Sequence, residues 1–159
     1  MTVHDFIRDK LTKAADKIRQ NIVSVGAKAS GRTGDSFKVF EKTNVIGLEA
    51  NKNYTALEEG RGPGKKKDGN LVRALLQWIS DKPVLMPENQ KLGFAISTAI
   101  KMNREGSVLF RNGGRKIVYS NVIDEQLIKE IVSGSTSIIS KELGDGINGN
   151  FKTPTIIKF

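Results

Sequence analysis

Glu58 and Glu59 are the first residues to weigh for acid–base chemistry, because a carboxyl pair can supply both a proton donor and a proton acceptor. Neighbouring residues of an extended segment point to opposite faces, and no third acid or histidine joins the two. The spacing therefore predicts a structural glutamate at a sheet edge, not a catalytic pair. Ser30, Ser36 and Ser120 are the hydroxyls that would need an imidazole base, and His4 is the single histidine of the chain. One imidazole near a helix start, without a second ligand at useful spacing, predicts neither a serine–histidine triad nor a metal site. The chain has no cysteine, which removes thiolate chemistry and disulfides and fits a reducing compartment. The run Gly60-Arg-Gly-Pro-Gly64-Lys65 resembles a phosphate loop at first sight. It has three residues between its outer glycines where that motif needs four, and Lys66 stands where a magnesium-binding hydroxyl belongs. No enzyme and no cofactor are expected.

Cations are the other candidate chemistry. Residues 61–120 hold twelve Lys and Arg against four Asp and Glu, which accounts for nearly all of the net charge of +9. A field of that sign attracts polyanions. Arg61, Lys65, Lys66, Lys67, Arg111, Arg115 and Lys116 sit on two loops and would form one phosphate-tracking surface if those loops meet. Aromatic residues for base stacking are sparse, with Phe110 and Tyr119 nearby, so any DNA contact is expected to be sequence-blind.

These loops need elements to position them. At 159 residues, 38% apolar, one domain with a modest core is expected. Ile7, Leu11, Ala14, Ile18, Ile22 and Val25 repeat every three or four residues and predict an amphipathic helix over 3–29, capped by Thr2 or Asp5. Ser30–Ser36 predicts a loop, and strands are predicted at 37–41 and 45–51. Tyr54–Lys67 then forms the pivot, an ordered foot leading into glycines, a proline and lysines. Helices are predicted over 71–80 and 88–105, with Gly106 as a stop. A flexible basic loop at 110–115, a strand at 116–120 and a helix at 121–143 follow. The organisation expected is an α+β domain over 1–143. In it a small antiparallel sheet packs against a long N-terminal and a C-terminal helix, with a helical insertion at about 68–106. Residues 144–149 read as a hinge. The β-prone tail beyond carries Phe151, Ile156, Ile157 and Phe159, suited to adding a strand to its own sheet or to another subunit's. No run approaches the roughly 20 apolar residues of a membrane span, and Met-Thr-Val-His-Asp-Phe does not read as a signal peptide, so no membrane partner is expected.

The order of these features resembles the tail-completion, or head–tail joining (neck), proteins of long-tailed bacteriophages. The likeness rests on the long first helix, Thr33-Gly34 with Ser36-Phe37 opening the first strand, and Tyr54, Ala56 or Leu57, Glu58 or Glu59 and Gly60 closing the strand pair. Phe94-Ala95-Ile96 through Arg104-Glu-Gly106 and the Gly113-Gly114-Arg115 loop resemble a longer subgroup with an inserted helical portion. The resemblance spans residues 1 to about 143 and implies a non-enzymatic virion subunit, assembled in the host cytoplasm. It would form a homo-oligomeric ring between capsid portal and tail, with portal or adaptor and tail proteins as partners and DNA passing through the lumen. The two basic loops and the tail would make the contacts. A tail-terminator role and a free-standing, sequence-nonspecific DNA-binding module are the alternatives.

Overall fold

The computed structural model describes residues 1–27, 32–43, 45–64, 69–82 and 86–150, with side chains described to Asp145. The fold is α+β: a two-stranded antiparallel sheet and a set of helices, with a long helix at each end of the chain.

Helix α1 spans Val3–Ser24. Thr2 and Asp5 close its start as a reciprocal capping box, the Thr2 hydroxyl accepting from the Asp5 amide at 3.1 Å. The helix is shorter than its apolar repeat predicts. Val25 donates back to Asn21 as the cap, and Gly26 turns the chain out at φ 64°. The periodic apolar position at Val25 thus lies past the last helical turn and still packs on the core. Arg32–Asp35 forms one helical turn, α2, where a loop was expected. Its Gly34 is buried, and a Cβ there would lie 3.6 Å from Ile22.

Strands β1 (Lys38–Lys42) and β2 (Val45–Glu49) pair as the predicted hairpin, in a register that sets Phe40 opposite Gly47. Ser36 fastens its base, donating to the Thr33 carbonyl at 2.7 Å and accepting from the Asn51 amide at 3.1 Å. The core is small: Ala15, Ile18 and Ile22 of α1 meet Phe37 and Val118, with Leu48, Tyr54, Leu57 and Tyr119 around them. Phe37, Tyr54 and Tyr119 stack edge-to-face in series, with ring centroids 6.2 and 5.2 Å apart.

Helices α3 (Gly69–Asp81) and α4 (Glu88–Glu105) pack on each other, burying Leu71, Ile79, Ala95 and Ala99. The pair is fastened to the body by polar links, including Lys82 to the Gly26 carbonyl at 3.0 Å and Arg32 to Asp81 at 3.3 Å. After a helical turn α5 (Val108–Arg111), the strand expected at 116–120 is absent; the chain bends there instead. Helix α6 runs Glu125–Asn150 and continues through the stretch that read as a hinge. It lies antiparallel to α1: Asn121 stands by Asn21, Glu130 binds Lys10, and Gly134 rests under Phe6. At that register α1 runs out near Ile138, so α6 continues past the end of α1 by roughly 18 Å at 1.5 Å per residue.

Candidate functional site

The two loops predicted to carry cations do meet, and backbone hydrogen bonds hold them. The Ser107 amide donates to the Arg61 carbonyl at 2.7 Å, and the Gly64 amide to the Asn103 carbonyl at 3.0 Å. The Ser107 hydroxyl accepts from the Arg61 amide at 3.0 Å while also capping α5. Approach this close requires glycine. A Cβ on Gly60, at φ 74°, would lie 2.5 Å from the Phe110 amide nitrogen, and one on Gly114, at φ 77°, would lie 2.7 Å from the Glu58 carbonyl.

The centre of the junction is Glu58, only 3% exposed. Its Oε1 accepts the backbone amides of Val118 at 2.7 Å, Tyr119 at 2.7 Å and Ser120 at 2.9 Å, and its Oε2 accepts the Ser120 hydroxyl. Three successive amides turned onto one carboxylate form an anion nest. That nest explains the missing strand: the amides that a ladder would need at 118–120 are engaged by a side chain about sixty residues earlier. Burial pushes the Glu58 carboxyl up, but the hydrogen bonds from Ser120 and the amides outweigh it and hold the group below the ordinary carboxylate range. A carboxylate engaged in this way spends its acceptor sites on the chain's own donors. The sequence expectation of a structural glutamate is met, but at a bent segment instead of a sheet edge. Tyr119 beside it is pushed up by burial and by the nearby Glu58 and Glu59 charges.

The cations divide by exposure and partner. Arg61 is half-buried and reaches Asn103 Oδ1 at 3.3 Å. Arg111 pairs with Glu105 at 3.0 Å. Arg115 is half-buried, donating its Nε to the Leu57 carbonyl at 2.9 Å and its amide to the Glu58 carbonyl at 2.8 Å. Lys116 is exposed and borders a dimple of about 110 Å³ with Glu59, Gly113 and Tyr119. Lys65, Lys66 and Lys67 lie outside the described residues, as do Phe151, Ile156, Ile157 and Phe159. The loop expected to be flexible at 110–115 is thus a tied turn, because Gly113 and Gly114 adopt positive φ and Arg115 anchors on the carbonyls of residues 57 and 58. Charge alone did not reveal Ser107 and Asn103, although Ser107 ahead of an apolar run carries an N-cap signature.

Among the described residues, no group of three or more His, Cys, Asp or Glu side chains is placed to hold a metal ion, and no helix is long and apolar enough to cross a membrane. Large apolar side chains stand in solvent instead. On α4 they include Leu92 and Ile100, 54% and 61% exposed, and on α6 Val132 and Leu143, 60% and 62% exposed. In comparisons with known proteins, no family model, no curated protein and no solved structure matches the chain.

Proposed function

We propose that the protein is a non-enzymatic structural subunit of a tailed-bacteriophage virion, forming a ring in the neck that joins the capsid portal to the tail. The observation that carries this reading is the pairing of a well-tied interior with uncovered apolar faces on α4 and α6. Exposed apolar surface of that kind marks association sites. The resemblance in feature order to tail-completion proteins gives the association its class. Ring closure needs a head-to-tail contact, in which two different faces of each subunit meet. The α4 face and the 151–159 tail are the pieces this reading assigns to neighbours or to the portal and tail proteins. Lys116 and Lys65–Lys67 are the cations it leaves to the lumen, while Arg61 and Arg115 tie loops. A sequence-nonspecific DNA-binding module is the second reading, favoured by the concentration of positive charge in residues 61–120.

Negative-stain electron microscopy of the concentrated protein tests the ring, and immunogold labelling of phage particles tests its position. Closed rings and label at the head–tail junction are expected. Label confined to free DNA, with no ring at any concentration, would replace the first reading with the second.

A further inference from the structure

Helix α6 carries two apolar stripes, and the fold covers one of them. Leu127, Ile131, Gly134 and Ile138 are half-buried, on the side where Phe6 and Lys10 of α1 meet Gly134 and Glu130. Ile128, Val132, Ile139 and Leu143 form a second stripe, exposed by 58, 60, 46 and 62%. The second stripe is symmetric about the point between Ser135 and Thr136. Ile128 and Leu143 lie equally far from that point, as do Val132 and Ile139, and so do the oppositely charged Lys129 and Glu142.

We infer that this stripe pairs with the same stripe of a second copy, α6 lying antiparallel on α6 about a two-fold axis at Ser135 and Thr136. The axis sets Val132 against Ile139 of the partner subunit and Ile128 against Leu143 of the partner subunit. It brings Lys129 level with Glu142 of the partner subunit, so each end of the contact sees opposite charges. Small residues at the crossing let the helices approach closely. A surface that matches itself in this way is what an isologous contact requires, and an unrelated partner has no use for the symmetry. The register also accounts for the overhang. The part of α6 beyond Ile138, which α1 does not reach, comes to lie over the docked first half of α6 in the partner. An unsupported helical end of that length is marginal in water, and the second copy supplies its support. This contact is separate from the head-to-tail contact of a ring, and it stands whether or not the protein is a neck component.

The absence of native cysteine makes the test direct. In the full-length chain, Thr136→Cys is expected to form a disulfide-linked dimer under mild oxidation, and Val23→Cys, exposed on α1, is not. Sedimentation velocity at on the order of 100 μM is expected to give a dimer for the parent and a monomer for V132K, whose circular dichroism keeps the helix of the body and loses at most that of the α6 overhang. The V132K/I139E double variant, which sets opposite charges across the axis, is expected to recover the dimer and to lose it in high salt. Each of three results would overturn the inference: a monomeric parent, equal cross-linking of the two cysteine variants, or a dimer indifferent to V132K. So would a parent that dimerises only after residues 151–159 are removed, since the chain's own tail would then be the occupant. Loss of rings with the dimer intact would count against the neck reading alone.

Discussion

The Glu58 junction and the outer face of α6 are built on opposite terms. At the junction a carboxylate 3% exposed takes three amides and a hydroxyl, and two glycines at positive φ let the segments close on it. On α6, Ile128, Val132, Ile139 and Leu143 are 46–62% exposed among the described residues. The first region fixes the shape of the chain through contacts within it. The second leaves apolar area for another surface. Stability should therefore be sensitive to the junction, and association to the helix face.

The largest effect is expected at the junction. Glu58→Ala leaves three amides and the Ser120 hydroxyl unpaired and should lower unfolding free energy by about 3–5 kcal/mol, read by urea denaturation. Because the folded Glu58 carboxyl sits below its ordinary range, the stability it contributes is present above the unfolded pKa and is lost as pH falls through the folded one. Glu58→Gln should therefore flatten the stability–pH curve in acid, below about pH 4, and leave it parallel to the parent near neutrality. Gly114→Ala is next. It forces a side chain into positive φ against the Glu58 carbonyl, and about 1–3 kcal/mol should be lost. Thr2→Ala removes one half of the α1 capping box and should cost about 1 kcal/mol, visible as a lower thermal midpoint. The smallest effect on stability belongs to the other region: at a dilution where the parent is a single copy, Val132→Lys and Ile139→Lys should change unfolding free energy by no more than about 0.5 kcal/mol. Their effect should appear in the assembled mass. A Val132→Lys variant as unstable as Glu58→Ala would erase the contrast between the two regions.

Where structure depends on local pattern, the sequence was informative. The stripe from Ile7 to Val25 predicts α1, although over 3–29 where the helix ends at Ser24; the strands at 37–41 and 45–51 predict the hairpin, and the bounds of α4 match the expected 88–105 with Gly106 as its stop. Where a distant group decides, it was not. Lys116–Ser120 is β-prone, and nothing near it in the chain announces that Glu58 will take its amides. The cations show the same limit. Their number predicts a positive surface, but Arg61 and Arg115 are half-buried and bonded to Asn103 and the Leu57 carbonyl, partners that charge counting does not reveal. On α6 the sequence predicts a helix over 121–143 without showing which of its apolar residues are covered. Among the described residues, the position of α1 decides which side of α6 is covered.

As a proposed assembly subunit, the chain is finished only in company with other protein surfaces. Light scattering on size-separated, unmodified protein over a wide concentration range measures this most directly. A mass of two or more copies, falling toward one copy on dilution and unchanged by DNA, is the expected result. A single-copy mass at every concentration would contradict it.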